Sequence, residues 1–137
     1  MEITRQTDYA VRALTYLAGL PIDSRVSTST ISEAQRIPLP FLTKVISHLV
    51  KAGLVVTNRG MGGGVSMARS PEEITLLDIM EAVEGPMLFN RCLLRDGICE
   101  LDSECAAHDA WAAIQACMIG ELKAVTVSQL IRKPVPR

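Results

Sequence analysis

The sequence has 137 residues, 48% of them hydrophobic, and a formal net charge of −1, which fits one domain or one domain with an appendage. No apolar run approaches the roughly 18 residues of a membrane span. The opening residues Met1–Arg5 lack the basic and apolar regions of a secretory signal, so a cytoplasmic protein with no membrane partner is expected. Charge is unevenly distributed. Residues 1–69 hold eight Lys/Arg and four Asp/Glu, a net of +4, whereas residues 70–137 hold six and eleven, a net of −5. Phosphate neutralisation is therefore expected of the first half only.

A first helix is predicted from about Gln6 to Gly19, where Ala10, Val11, Leu14, Leu17 and Ala18 repeat at helical spacing and Gly19 and Pro21 close it. A short second helix follows near Thr28–Arg36, with Thr30 and Glu33 as a capping-box pair. The third has the clearest pattern. Pro40 suits its first turn, Gly53 the residue past its end, and Leu42, Val45, Ile46, Leu49 and Val50 form one apolar stripe. Strands are predicted at 54–57 and 65–68, joined by a turn, Arg59 to Gly64, that holds four of the nine glycines. A fourth helix is expected over 76–84, capped by Thr75 with Asp78. Residues 87–103 read as a loop. A long helix then runs from about Ser103 to Lys123, on which Ala107, Trp111, Ile114, Met118 and Leu122 share a face. Nothing in its own half is left to cover that face, so a second copy of the chain is the expected partner.

Three helices and a glycine-tipped hairpin, in that order, make a mainly α fold with a small β-hairpin wing. The expected architecture is a winged helix-turn-helix over 1–70, then a cysteine loop and a long C-terminal dimerisation helix over 71–137. In such a motif the second paired helix enters the major groove of double-stranded DNA by its N-terminal end. Phe41, Thr43 and Lys44 are placed to reach bases or the groove edge, and Ser47, His48 and Lys51 to meet phosphates. In the wing, Arg59 beside Gly60 suits a narrow minor groove of strong negative potential. Thr4 and Arg5 are further phosphate candidates. The glycine run is not a nucleotide loop, because no Gly-Lys-Ser/Thr and no helix follow it.

All four cysteines lie in the second half, spaced Cys92-x6-Cys99-x5-Cys105, with His108 three residues later and Cys117 beyond. In a reducing cytosol such a cluster points to metal or redox chemistry rather than disulfides. The irregular spacing does not suit a zinc finger built on Cys-x2–4-Cys pairs. Soft thiolates favour an iron–sulfur cluster, zinc or cuprous copper. His108, in the first turn of the long helix, is a candidate fourth ligand, and Cys117 is read as a buried small hydrophobe. No nucleophile–base pair or carboxylate dyad has credible spacing, so no enzyme is expected.

The chain resembles the Rrf-type winged-helix regulators. The resemblance rests on Thr4 and Thr7 to Leu14, on Phe41-Leu42 and Leu49 to Val55, on Arg59-Gly60 and Gly62 to Gly64, on Ile79 to Glu84, and on the three cysteines. It implies a homodimer on a partly palindromic operator, and a cluster on Cys92, Cys99 and Cys105 acting as redox, iron or nitric-oxide sensor. In the family the fourth ligand is either the histidine matching His108, with a 2Fe–2S cluster, or an acidic residue matching Asp8 from the other subunit, with a 4Fe–4S cluster. This sequence has both, and the 2Fe–2S form with His108 is the favoured expectation. A winged-helix repressor with structural zinc or a direct thiol switch is the alternative.

Overall fold

In the computed structural model, which describes residues 2–131, Thr4 opens the first helix. Its Oγ1 accepts the Thr7 N–H at 3.3 Å, so α1 spans Arg5–Ala18, one residue ahead of the expected start. Helix α2 spans Thr28–Gln35 and is capped by Ser27, whose Oγ accepts the Thr30 N–H at 3.0 Å. The expected Thr30–Glu33 capping box is therefore not the entry to this helix. Ser27 is already extended, and Thr30 lies in the first turn as a donor. Arg36, at a left-handed φ of 52°, ends α2.

Helix α3 spans Leu39–Lys51, with Pro40 in its first turn, where a missing N–H costs nothing. Gly53, at φ 74°, turns the chain out of it. Leu42, Val45, Ile46 and Leu49 are buried, but Val50 is 37% exposed, so the apolar stripe is one residue narrower than expected. Strands β1 (Val55–Asn58) and β2 (Gly64–Met67) pair antiparallel from Val55↔Met67 to Asn58↔Gly64. Both differ by one residue from expectation. Leu54 stays outside the ladder because its N–H is taken by the Leu49 carbonyl of α3. Gly64 joins it where a side chain would not fit: a Cβ there would lie 2.7 Å from the Val26 carbonyl oxygen. That close approach lets Val26 and Val65 bridge and add a one-residue third strand.

After a 3₁₀ turn at Pro71–Glu73, helix α4 spans Leu76–Glu84 behind the expected capping box. Asp78 Oδ2 accepts the Thr75 N–H at 2.8 Å, and Thr75 Oγ1 accepts the Asp78 N–H at 3.1 Å. The segment expected as loop contains a 3₁₀ turn at Arg91–Leu93. Helix α5 spans Ala106–Ala124, three residues later than expected, because the Glu104 N–H closes a turn on the Leu101 carbonyl instead. A last short helix, α6 (Val127–Leu130), was not expected from the pattern. Its Gln129 Oε1 accepts the Thr126 N–H at 3.1 Å, a Thr-x-x-Gln signal that is visible in the sequence. The Val127 N–H donates to the Ile74 carbonyl at 2.8 Å, which seats α6 beside the 3₁₀ turn at Pro71–Glu73 and against α1.

One aliphatic core results. Leu14 of α1, Leu42 and Leu49 of α3, Val65 of β2, Ile79 of α4 and Val127 of α6 are buried together in it. It draws on both sides of the Ser70–Pro71 boundary. Helix α5 stands apart. None of its 19 residues is buried, and Trp111 and Ile114 are 37% and 42% exposed. Cys117 is also exposed, which corrects the expectation of a buried small hydrophobe. Among the described residues α4 and the cysteine segment cover one side of α5 only in part, and Cys117 lies on the side they leave open.

Candidate functional site

Two sites emerge, one basic and one sulfur-rich. The basic one begins with α3, whose buried stripe fixes which side chains face water. Phe41, Thr43, Lys44, Ser47 and Lys51 are exposed, and His48 is half-buried. Phe41 leans on Tyr9 of α1, with ring centroids 6.5 Å apart, and still leaves 53% of its surface free. Thr43 donates its hydroxyl proton to the Leu39 carbonyl at 2.9 Å. Towards a base it therefore offers an acceptor lone pair and a methyl group, not a donor.

The charge pattern sharpens this reading. No carboxylate occurs between Glu33 and Glu72, while Arg36, Lys44, Lys51, Arg59 and Arg69 all lie exposed in that interval. Helix α3 and the hairpin thus present cations with no internal anion to compete for them. In the wing, Arg59 is exposed and Gly60 has φ 87°. Gly63 is required for closure, since a Cβ there would come within 2.3 Å of the Asn58 carbonyl oxygen.

The N-terminal residues divide. Arg5 is exposed and unengaged by any hydrogen bond or ion pair among the described residues. Thr4, expected at a phosphate, is committed elsewhere: its hydroxyl donates to Glu84 Oε1, which also accepts from the Thr7 hydroxyl at 2.7 Å. Glu84 is the last residue of α4, and Gly85 at φ 83° turns the chain into the cysteine segment. One carboxylate therefore ties the start of α1 to the start of that segment. Sequence reasoning missed Glu84 as a functional residue. The pairing spans 77 to 80 positions, and no local spacing signals it.

The sulfur-rich site occupies residues 92–108. Cys92 lies in the 3₁₀ turn, Cys99 in a bend, and Cys105 immediately before α5 with its side chain unused in capping. All three are half-buried free thiols. Partial burial pushes the Cys92 thiol up from its ordinary range, and the neighbouring Asp102, Cys99 and Cys105 push it further the same way. The thiols are thus within electrostatic reach of one another. Among the described residues, no three His, Cys, Asp or Glu side chains close around a point as a single bound ion requires.

His108 Nδ1 lies 3.6 Å from Asp102 Oδ1, and both atoms are buried without a hydrogen-bond partner. At that separation no hydrogen bond joins them, so Asp102 stands beside the imidazole without fixing its orientation. Three soft thiols and an imidazole fit an iron–sulfur centre by donor chemistry. Asp8, the other candidate, is on α1 and pairs with Arg12 at 3.4 Å on an exposed face. The segment is fastened to α5 by the Phe89 N–H on Gln115 Oε1 at 2.7 Å and by Phe89 against Trp111, centroids 5.4 Å apart.

Known proteins share this fold. The sequence profile of the Rrf2 family, described as iron-dependent transcriptional regulator, matches residues 3–133. The HTH-type transcriptional regulator NsrR of Shouchella clausii is 32% identical over 132 residues, which are 96% of this chain and 89% of that one. The HTH-type transcriptional regulator IscR of Photorhabdus laumondii is 31% identical over 131 residues, 96% and 79% of the two chains. Among solved structures, CymR, the global cysteine regulator of B. subtilis, has a TM-score of 0.78 at 26% identity and is covered over 96% of both chains. T. potens IscR has a TM-score of 0.75 at 27% identity, with 95% and 85% covered. These likenesses bear out the winged-helix architecture, and the extent of the match settles the family: the chain belongs to the Rrf2 family of helix-turn-helix transcriptional regulators.

Proposed function

We propose that the chain acts as a homodimer on a partly palindromic DNA operator, and that an iron–sulfur cluster held by Cys92, Cys99 and Cys105 sets its affinity. The observation that carries this reading is the gathering of three thiols and His108 in one segment joined to α1 through Glu84. His108 is the fourth ligand in this reading, as the histidine in the first turn of α5 three positions after Cys105, and the cluster is 2Fe–2S, the form that the family resemblance pairs with a histidine ligand. Relatives named IscR and NsrR support the same class. When bound, the cluster supplies a redox- and ligand-sensitive crosslink between the thiolates.

The protein's own residues do the rest. Residues 1–70 read DNA: α3 presents Phe41, Thr43 and Lys44 to the major groove, Ser47, His48 and Lys51 to phosphates, and the wing presents Arg59 to the minor groove. Residues 71–137 sense and dimerise. The uncovered α5 face, with Trp111 and Ile114, buries against the partner's copy. Half-sites roughly 34 Å apart must match the spacing of the two reading heads. A shift of the cysteine segment pulls on Glu84 and hence on the Thr4–Thr7 turn next to Arg5. A coupling of about 1–3 kcal/mol would change affinity some 5–150-fold.

Anaerobic purification tests this reading. Iron, acid-labile sulfide and visible absorbance in the pure protein are expected, all lost in Cys92→Ala and Cys105→Ala. A colourless protein with neither iron nor sulfide contradicts it. The second reading, a direct thiol switch, draws on the free state of all four cysteines and the exposure of Cys117. It expects operator binding to follow thiol oxidation in a colourless protein.

A further inference from the structure

The apex of the wing carries one side chain only. Gly60, Gly62, Gly63 and Gly64 surround Met61, so between Arg59 and Val65 the thioether is the sole projection from the backbone. It is fully exposed, at 105% of its reference surface. The apex is also a defined turn rather than a loose loop. The Gly63 N–H donates to the Gly60 carbonyl at 3.0 Å, and Gly62 has the positive φ, 75°, that a type II turn requires at its third position. Met61 occupies the second position, at the outermost corner.

An apolar side chain held at the tip of a basic hairpin faces an energetic choice. In water its surface gains nothing, and no described residue of the chain covers it. Arg59 beside it directs the tip to the negative potential of the minor groove. A minor groove about 6 Å wide admits an unbranched side chain on a bare glycine backbone. Apolar wedges of this kind part a base step and kink the duplex towards the major groove. The flexible thioether adapts to the gap between bases. Burial of a single Met is comparable to the cost of unstacking, so the balance favours insertion only at steps that unstack easily, TA and CA/TG.

We infer that Met61 is a minor-groove wedge: on the operator it inserts at a pyrimidine–purine step beneath each wing, partly unstacks it and bends the duplex. This rests on the DNA-reading function proposed above and adds a source of sequence preference that needs no hydrogen bond to a base edge.

The test uses the full chain and a duplex selected for tight binding from a random pool, with 2-aminopurine replacing adenine at each TA or CA step in turn. Protein binding is expected to raise the fluorescence severalfold at one symmetric pair of steps. Met61→Ala is expected to keep duplex binding, weakened about tenfold or less, and to lose the rise; Met61→Leu is expected to restore it. Tight binding with no rise at any step, or an equal rise with Met61→Ala, overturns the wedge and leaves DNA reading intact. Failure to select any tight duplex overturns both.

Discussion

The reading head and the cysteine segment are built on opposite principles. Residues 34–71 contain no carboxylate, and α3 and the hairpin within them stand on a buried aliphatic core. Residues 85–108 contain four carboxylates and no fully buried side chain. Two of their buried polar atoms, on Asp102 and His108, lack partners. The first region is prebuilt and needs only an anionic surface. The second is underdetermined, with few apolar neighbours to hold it, and its conformation is open to being set by what its thiols hold. A regulator benefits from this division: a rigid reader transmits whatever displacement a soft sensor imposes.

The largest expected effect separates the two regions by stability. Leu49→Ala removes a fully buried side chain from α3 and should cost about 2–5 kcal/mol. A denaturant titration measures it. Cys99→Ala, outside the core, should leave the stability of the metal-free protein nearly unchanged. Equal losses in both would break the comparison.

The link between the regions comes next. Glu84→Gln removes the anionic acceptor shared by the Thr4 and Thr7 hydroxyls. Because Thr4 and Glu84 are both exposed, the expected stability cost is about 1 kcal/mol or less. The dependence of operator affinity on the state of the cysteines, however, should fall several-fold. Fluorescence anisotropy on loaded and metal-free protein reads both affinities. Unchanged coupling would mean that α4 does not carry the signal.

Smaller still, Arg59→Ala should reduce the salt dependence of operator binding, by about 0.9 in the log–log slope for each phosphate that is no longer neutralised. An unaltered slope would remove the wing arginine from the interface. The smallest effect concerns pH. Burial and the negative groups around Cys92 hold its thiol protonated above the ordinary thiol range. In metal-free protein, alkylation of Cys92 should therefore rise with pH later than that of free cysteine, and Asp102→Asn should bring it earlier. A rate that tracks free cysteine would show that neither burial nor Asp102 acts on this thiol.

Much of the fold was legible in the sequence where a long periodic stripe meets an unambiguous stop. Helix α3 has Pro40 at one end and Gly53 at the other, and α4 has the Thr75–Asp78 box. The entry of α2 was misplaced because Ser27, Thr28, Ser29 and Thr30 are all competent caps, and only backbone conformation selects Ser27. Helix α6 has four residues, too few for a period. For the site, the candidate ligands were visible as spacing and the reading face as a basic stripe. What the pattern did not show is tertiary: Asp102 beside His108, the commitment of Thr4 to Glu84, and the exposure of Cys117. Each depends on where separate elements come to rest, and local spacing does not encode it.

The central claim is that the state of the cysteine segment sets how the reading head binds. Its most direct test is operator affinity measured anaerobically on one preparation before and after metal removal by a chelator. The account predicts a change of roughly 5–150-fold that Cys105→Ala abolishes. Identical affinity before and after, in protein shown to have carried iron and sulfide, would contradict it.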